Sequence, residues 1–473
     1  MTIYIRPFLA GLAGAAGLVL WPGDRAAAQG FTNLHSLVFT NGTAPNAGLT
    51  VAGNTLYGTA ENYGGGGNCG SVFKLAADGS SFTNLHTFDQ KLDGGNPYAG
   101  LVLAGSRLYG TTIFGGLSNY GCIFAINTDG SGLTNLHSFP VLAYASFPYT
   151  NAEGAYPSTG LRLSGGTLYG TASGGGAYGW GVAFAMGTNG LGYTNLHCFS
   201  DADGQYPSTL LLAGNTLYGT ASGGGATGYG SLFKMNTDGS AFTNFYNFTA
   251  KDFAAQTNAD GAFPVGSLVL SGSTLYGTTR EGGYNGNGTI FQIATNGASF
   301  GVLHQFSATN AVSGSNGDGA RPQAGLILWS NQLYGAAEYG GSAGYGTVFS
   351  LRTDGSEFTT LYSFSATNAA TGTNLDGAYP VAGLAISGGV LYGTASAGGT
   401  AGYGTVFSLL IPPPMSIGFA GPNAVVTWPT NSTGFALQTT TNLAAPIWTT
   451  VSGQNTVTNP ISEPQRYYRL LHP

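Results

Sequence analysis

The chain has 473 residues, of which 81 are Gly and 20 are Pro, while 42% are hydrophobic and only 7% are charged. So little charge excludes intrinsic disorder of the highly charged kind, and the absence of a G-X-Y period excludes collagen. The net charge of -6 and the lack of any Lys-rich or Arg-rich block argue against nucleic acid as a partner. Many short strands joined by tight turns explain so much Gly, so we expect an all-β protein.

Residues 1–28 are expected to be an export signal. Arg6 supplies a positive charge, residues 8–20 form an apolar stretch, and Ala26 to Ala28 form a small-residue site that predicts cleavage before Gln29. The apolar stretch is short for a membrane span, and no later segment is long enough to be one. We therefore expect an exported protein of the periplasm, the outer surface or the extracellular space, without a membrane span after signal cleavage.

Residues 29–411 contain one unit seven times. The phrase LYGTA or a close variant begins at Leu56, Leu108, Leu168, Leu217, Leu275, Leu333 and Leu391. A phrase like FTNLH begins at Phe31, Phe82, Leu133, Tyr193, Phe242, Phe300 and Phe358. A period near 50 residues with variable insertions is typical of a propeller.

Each unit predicts four short strands, which we name a to d. In the second unit these are Gly100 to Ala104, Arg107 to Thr112, Cys122 to Asn127 and Leu133 to Phe139. Gly and Asx residues suited to tight hairpins join a to b and c to d, so the strands form an antiparallel meander. Packing seven such sheets radially around a channel buries both faces of each sheet, which predicts a seven-bladed β-propeller.

The two ends of the repeat region predict how the ring closes. The segment from Phe31 to Val38 is a lone strand d, and the last unit ends after its strand c at Leu410. The N-terminal strand should therefore complete the seventh blade. Three prolines at 412–414 predict a linker, and residues 415–473 predict a small C-terminal β-sandwich-like module with Trp428 and Trp448 in its core.

The repeat also resembles a known family. The pattern GLxLSGxTLYGTAxxGGxxGxGTVFxLxTDGSxFTxLHxF, seen almost whole from Gly383 to Leu409, is similar to the Gloeo-Verruco (GloVer) tandem repeat of exported bacterial proteins. The resemblance implies export, a propeller-like repeat array and a variable C-terminal anchoring or sorting segment, but no particular activity. The strand order is also similar to kelch blades, although FTNLHSF stands where kelch units place a Trp, so kelch partners are not carried over.

The titratable residues follow the repeat. Five His residues share one position on strand d, and Tyr246 and Tyr362 occupy it in the other two units; the five are His35, His86, His137, His197 and His304. Because Tyr replaces His, we expect a structural role, and no metal or cofactor. One acid precedes strand a in six units: Asp93, Glu153, Asp203, Asp260, Asp318 and Asp376. We interpret these acids as turn residues, with a calcium loop as the weaker alternative.

Three cysteines leave the redox state open. Cys69 and Cys122 lie one position apart in adjacent units, so a disulfide between them is possible, with two free thiols as the alternative. Cys198 is expected to be a small buried residue or a free thiol.

The best candidates for function lie where the units depart from their own consensus. In a meander the b–c and d–a loops share one face, and here these loops carry all the long insertions, including residues 140–151. The candidate ligand-binding residues are Tyr178, Trp180, Arg280, Glu281, Arg321, Glu338 and Tyr339. Aromatic platforms with a few charges among them suit a glycan or a protein.

Three hypotheses follow. The first is an exported, non-catalytic monomer that acts as a binding or scaffold protein of the cell envelope, with a glycan or an envelope protein as its partner. The alternative is a propeller-fold polysaccharide lyase or glycosidase that uses Tyr, Arg and Glu near the channel. A purely structural role is the third. Convergence of Arg280, Glu281, Arg321 and Glu338 in one pocket would favour the enzyme, and scattering around the rim would favour binding.

Overall fold

The computed structural model describes residues 30–64, 69–144 and 147–411, which cover most of the repeat region. Outside the repeat region the structure describes only residues 3–5, 19–20, 416–420, 423–427, 436–440, 447, 449–451, 456–460 and 466–471. The expected cleavage site, most of the signal's apolar stretch, the three-proline linker, Trp428 and Trp448 lie outside the described residues. By contacts the chain divides into two compact units, residues 32–385 with 392–407, and residues 1–31 with 386–391 and 408–473.

Seven small antiparallel sheets form a seven-bladed propeller, which confirms the predicted fold. In the order a, b, c, d the strands of the first three blades are Thr50–Ala52, Thr55–Ala60, Ser71–Ala76 and Phe82–Thr87; Val102–Ala104, Arg107–Thr112, Cys122–Asn127 and Thr134–Ser138; and Arg162–Ser164, Thr167–Ala172, Val182–Gly187 and Thr194–Cys198. Blade 4 has Leu211–Ala213, Thr216–Gly223, Ser231–Asn236 and Thr243–Asn247, with an extra strand Gln205–Pro207 beside strand b.

Blades 5 and 6 comprise Ala262–Ser271, Thr274–Glu281, Thr289–Ala294 and Gly301–Gln305, then Ile327–Trp329, Gln332–Ala337, Thr347–Arg352 and Thr359–Ser363. The only helical element among the described residues is the 3-10 turn Phe39–Asn41. The described part of the chain thus contains no helix long and apolar enough to cross a membrane.

The N-terminal strand completes the seventh blade, as predicted. The sheet order there is Ala385–Ser387, Val390–Ala395, Thr405–Leu410 and then Phe31–Ser36. Beyond this ladder, the Leu37 amide donates to the Gly404 carbonyl over 2.9 Å. The Thr394 hydroxyl reaches the Ala47 carbonyl of the first blade over 3.1 Å. The first and last repeats are therefore joined by hydrogen bonds as well as by packing.

The LYGTA phrase is explained by the core of each blade. In blade 1, Gly58 lies opposite Phe73 of strand c, and a Cβ added at Gly58 would lie 2.5 Å from the end of that ring and 2.8 Å from Leu49. Only Gly leaves room for the ring. The Phe at this position has no exposed surface in any blade: Phe73, Phe124, Phe184, Phe233, Phe291, Phe349 and Phe407. Each buried ring contributes roughly 2 to 3 kcal/mol to stability.

A second repeated contact joins neighbouring blades. Gly230, at φ +97°, precedes strand c of blade 4, and any side chain there would overlap the ring of Pro264. Phe263, just before that proline, has φ +55°, and its amide donates to the Tyr229 carbonyl over 2.9 Å. The residue before the proline is left-handed in every blade: Ala44, Asn96, Tyr156, Tyr206, Phe263, Arg321 and Tyr379. The d–a loops are therefore held in one fixed conformation at the blade junctions.

The repeated His and the repeated acid form one structural pair. His197 Nε2 lies 2.8 Å from an Asp203 carboxylate oxygen, and its ring stacks on Phe242 of the next blade at a centroid distance of 3.6 Å. Where Tyr replaces His, the Tyr246 hydroxyl donates to Asp260 over 2.8 Å. The structural role expected for His is confirmed. The acids do more than the turn chemistry assigned to them, because they also fix strand d.

No disulfide joins Cys69 to Cys122, so the bridge left open by the sequence does not form, and Cys122 and Cys198 are free thiols. Cys69 lies before strand c of blade 1, where its thiol donates to the side-chain oxygen Oε1 of Gln90 over 3.4 Å. Cys122 begins strand c of blade 2, 3.2 Å from the Thr112 hydroxyl. Burial raises the pKa of the Cys122 thiol to about 12. The offset of one position between the repeats places each sulfur against different neighbours.

The C-terminal residues form strands, as predicted. Ser416–Ala420, Asn423–Thr427 and Thr456–Pro460 make a three-stranded antiparallel sheet. Ala436–Thr440, Thr449–Thr450 and Arg466–Leu471 belong to a second sheet, which also contains Ile3–Ile5 and Val19–Leu20. The β-sandwich-like packing of the module and its boundary at residue 415 stay predictions.

Candidate functional site

The b–c and d–a loops meet on one face of the propeller, which we call the loop face. Single β-bridges connect the two kinds of loop, as between Ala155 and Gly174 in blade 3 and between Ala320 and Tyr339 in blade 6. The short a–b and c–d turns bond to each other instead, as where the Thr128 amide donates to the Ser106 carbonyl over 2.9 Å. All the long insertions therefore lie on the loop face, as the meander predicted.

One repeat position follows the LYGTA phrase and lies at the inner part of the loop face. Its occupants are Glu61, Ile113, Ser173, Ser222, Arg280, Glu338 and Ser396, and all seven side chains are half-buried. Backbone bonds to the d–a loop of the same blade hold this position; the Ser173 amide, for example, donates to the Tyr156 carbonyl over 3.1 Å. Three of these seven residues are charged and four are uncharged, so the repeat does not conserve the chemistry of this position.

The charged members of the ring have different partners. Glu61 accepts a hydrogen bond of 2.5 Å from the Asn46 amide, and Glu338 accepts one from the Gln323 amide. Both amides come one residue after the proline of the same blade, so the two blades build the same carboxylate–amide pair. The Nε of Arg280 is buried and has no hydrogen-bond partner within the described part of the chain.

Tyr98 lies within the electrostatic range of these three charged residues. It follows Pro97 in the d–a loop that leads into strand a of blade 2, where the loop face meets the innermost strands, and we call this region the mouth. Partial burial raises the pKa of the Tyr98 hydroxyl; the carboxylates of Glu61 and Glu338 raise it further, and Arg280 lowers it. Charges from blades 1, 5 and 6 thus act on one phenol from blade 2. We call Glu61, Tyr98, Arg280 and Glu338 the mouth cluster.

A buried ion pair lies beside the mouth cluster. The Lys251 ammonium is 2.7 Å from a Glu281 carboxylate oxygen, and the Lys251 side chain is only 4% exposed. The ammonium also lies 4.9 Å from the centre of the Phe263 ring. Burial works against ionisation of Glu281, but Lys251 above all, then Arg321 and Arg280, outweigh it and hold the pKa of Glu281 below its usual range.

A group of aromatic side chains on the loop face surrounds a cavity of about 150 Å³ around blade 3. Trp180 contacts Phe147 and Tyr206 edge to face, at centroid distances of 5.3 and 5.6 Å. Phe147, from the insertion at residues 140–151, is 68% exposed. The cavity is lined by Leu142, Phe147, Tyr149, Tyr156, Ser173, Gly174, Gly175, Gly179, Trp180 and Tyr206. We call it the aromatic slot.

The candidates from the sequence fall into two groups. Trp180 lines the aromatic slot, whereas Tyr178 is 56% exposed and is not among the lining residues. The other group lies around the mouth: Arg280, Glu281, Arg321, Glu338 and Tyr339.

Within the second group, only some of the residues contact one another. Arg321 lies over the Tyr339 ring at 5.7 Å, and the Glu338 amide donates to the Arg321 carbonyl over 3.3 Å. Among the described ion pairs, however, none joins two of Arg280, Glu281, Arg321 and Glu338. Of the four, Glu281 pairs with Lys251 and Glu338 accepts from Gln323, whereas the Nε of Arg280 has no hydrogen-bond partner within the described residues.

Sequence reasoning missed several residues that the fold brings into these sites. Glu61 was visible as an acid where three other repeats have Ser, and this departure from the repeat could have identified it. Lys251 lies in the long d–a loop of blade 5, where the loops of the same length in blades 6 and 7 carry Thr309 and Thr367, so the same kind of departure could have identified it. Across residues 30–64, 69–144 and 147–411, no group of three or more His, Cys, Asp or Glu side chains is placed to hold a metal ion.

Comparisons with known proteins agree on the repeat. The profile of the Gloeobacter/Verrucomicrobia repeat matches residues 24–151, 140–316 and 311–412. No curated protein matches the chain.

Three solved structures illustrate the likeness in structure. An oligogalacturonate lyase in complex with manganese is 10% identical, with 82% of this chain and 95% of that chain covered and a TM-score of 0.48. A puromycin-hydrolyzing peptidase of Mycobacterium tuberculosis is 12% identical, with 85% and 61% covered and a TM-score of 0.47. A nidogen/laminin complex is 12% identical, with 62% and 91% covered and a TM-score of 0.38. Such distant likenesses carry no argument about activity.

Proposed function

Because the chain belongs to the Gloeobacter/Verrucomicrobia repeat family, we propose that its repeated positions build a scaffold and that the positions departing from the repeat bind a glycan on the loop face. The protein is then a binding propeller without a reaction of its own. The observation that carries this proposal is the aromatic slot, because Trp180 and the inserted Phe147 are departures from the repeat in the b–c and d–a loops of blade 3 and lie together there.

The chemistry of the slot suits a sugar ring. Aromatic faces and edges pack against the C–H groups of a sugar, while tyrosine hydroxyls exchange hydrogen bonds with its hydroxyl groups. Beside the slot, the hydroxyls of Tyr120 and Tyr144 lie 2.6 Å apart and present such groups at the surface. At about 150 Å³ the slot is smaller than the ~300 Å³ at which pockets for drug-sized ligands begin. One ring of a longer glycan would therefore occupy it.

A glycan array of the purified protein, followed by titration of the best hit, tests the proposal. Trp180→Ala should weaken binding at least tenfold, because it removes the largest wall of the slot. Trp329→Ala is the matched control, since Trp329 ends strand a of blade 6 beside a turn of the opposite face. It should change binding by less than twofold. Equal affinity of wild type and Trp180→Ala would contradict the proposal.

Export to the cell envelope is part of the same proposal. It is supported by the composition of residues 1–28, and the family suggests a bacterial source. N-terminal sequencing of protein secreted by a bacterial host should find Gln29 first, and a chain retained in the cytoplasm with residues 1–28 attached would contradict it. We expect a monomer, so light scattering should give a mass near that of one chain.

A second candidate function is cleavage of the glycan at the mouth cluster. It is supported by the presence of two carboxylates, Glu61 and Glu338, in the surroundings of Tyr98. Burial raises the pKa of Glu61, despite the hydrogen bond from Asn46 that lowers it, and a raised pKa favours a general acid. Mass spectrometry of a bound oligosaccharide after long incubation separates the two functions. Shortened products would indicate an enzyme, and intact oligosaccharide would support binding alone.

A further inference from the structure

The mouth cluster is a polar site separate from the aromatic slot. Its two carboxylates are each fixed by an amide of the same blade, Glu61 by Asn46 and Glu338 by Gln323. Such pairing orients one carboxylate oxygen and leaves the remaining lone pairs free to accept further hydrogen bonds. The repeated construction in blades 1 and 6 makes both carboxylates fixed acceptors on the loop face.

Arg280 supplies the matching donors. Its Nε is buried and has no partner within the described residues, which is costly for a buried donor unless a ligand or water provides an acceptor. In blade 5 the residue one after the proline is Val265, so the amide that pairs with the acid in blades 1 and 6 is missing. The Nε–H of Arg280 therefore lacks the side-chain partner that its own blade would otherwise offer.

The charges that act on Tyr98 and Glu281, counted with Glu281 itself, are balanced in number. They are the carboxylates Glu61, Glu281 and Glu338 and the cations Lys251, Arg280 and Arg321. A balanced set selects neither an anionic nor a cationic polymer by its field. Carboxylate acceptors beside guanidinium and phenol donors instead match hydroxyl groups, which both donate and accept hydrogen bonds.

The two sites belong to one surface. Ser173 lines the aromatic slot and occupies the same repeat position as Arg280 and Glu338 in the mouth cluster. A ligand that leaves the slot along this ring of positions reaches the mouth of the channel within the loop face.

We propose that the mouth cluster is a second sugar subsite, which binds hydroxyl groups, and that the ligand is an uncharged oligosaccharide that spans the aromatic slot and the mouth. This inference rests on the proposed glycan binding and adds the class of glycan. Arg280 and Tyr98 donate to sugar hydroxyl oxygens, and Glu61 and Glu338 accept from sugar hydroxyl groups.

Calorimetric titration of the full chain with hexasaccharides of known charge tests the inference. The neutral probes are cellohexaose, xylohexaose and mannohexaose, and the charged probes are hexagalacturonate and a chitosan hexamer. We expect at least one neutral probe to bind tenfold more tightly than either charged probe. Tighter binding of a charged probe would overturn the inference. If none of the five probes binds, both the inference and the proposed function are overturned.

Variants locate the subsite. Glu338→Gln and Arg280→Met should each weaken binding of the neutral probe at least fivefold, while Arg280→Lys should lose less. Glu357→Gln is the control, because Glu357 pairs with Arg352 in a c–d turn on the opposite face and should leave affinity unchanged. Circular dichroism and thermal unfolding check that each variant is folded.

The pattern of losses separates the two proposals. If Trp180→Ala abolishes binding and both mouth variants bind like wild type, the second subsite is wrong and the proposed function stands. If all three variants bind like wild type, both are wrong. Loss in Trp180→Ala and in both mouth variants supports both.

Discussion

The buried pair of Lys251 and Glu281 gives a prediction whose size follows from the structure. Lys251→Met keeps the length of the side chain and removes its charge, which leaves the Glu281 carboxylate without its partner at 2.7 Å. Removing one member of a buried ion pair costs about 3 to 5 kcal/mol. The Glu281 side chain keeps 25% of its surface exposed, and Arg321 and Arg280 also favour its charged form. We therefore expect the lower end, a loss of about 3 kcal/mol in the free energy of unfolding.

Urea unfolding at pH 7, followed by tryptophan fluorescence, measures this loss. The matched control is Lys91→Met, because Lys91 lies 3.8 Å from Asp89 with 82% of its side chain exposed. An exposed pair of this kind is worth under about 1 kcal/mol. The double variant Lys251→Met with Glu281→Gln should be more stable than Lys251→Met alone, because it no longer leaves a buried charge unpaired. A Lys251→Met variant no less stable than Lys91→Met would refute this reasoning.

Three further predictions concern the scaffold. Gly230→Ala should lower the free energy of unfolding by more than ~3 kcal/mol, because the new side chain would overlap the proline of the next blade. Gly214→Ala is the control: Gly214 has φ +58° and nothing within 4 Å, so the loss should be only about 1 kcal/mol. Similar losses for the two variants in urea unfolding would contradict this. Burial opposes ionisation of Asp318, but the hydrogen bonds from His304 and Ser307 together outweigh it and hold the pKa of this carboxyl below its usual range. A carboxyl whose pKa is lowered in the folded state stabilises the protein above pH ~4, and this stabilisation is lost as the pH falls through the folded-state pKa. The Asp318→Asn variant should therefore be less stable than wild type at pH 6, and the difference should be smaller at pH 3. An equal difference in stability at both pH values would argue against this. Cys122 should resist alkylation at pH 8 until the protein unfolds, when mass spectrometry finds it labelled; rapid labelling of Cys122 in the folded state would oppose this.

Much of the fold is predictable because every repeat has the same types of residue at the same structural positions. Gly58 and Phe73 mark strands b and c wherever they recur, and the tight a–b and c–d turns set the order of the strands. Ring closure is predictable from the two incomplete ends, since a lone strand d at Phe31 and a missing strand d after Leu410 have only one simple arrangement.

The candidate site is less predictable, because closure of the ring brings together residues that are distant in the chain. Glu61 and Glu338 share surroundings with Tyr98 only once the blades are arranged in a circle, and no local pattern connects them. The slot depends on Phe147, which lies in an insertion without a repeat equivalent. The pairing of His197 with Asp203 was also missed, because in the sequence the repeated His and the repeated acid are two separate patterns, and nothing in either pattern shows that the two side chains are in contact.

The central claim is that the loop face binds a glycan at the aromatic slot. A crystal structure of the protein soaked with the tightest neutral oligosaccharide from the array tests it most directly. The account predicts a sugar ring against Trp180 and Phe147, with the next rings directed toward Arg280 and Glu338. A ligand bound on the face of the a–b and c–d turns, or against the strands beyond residue 415, would contradict it.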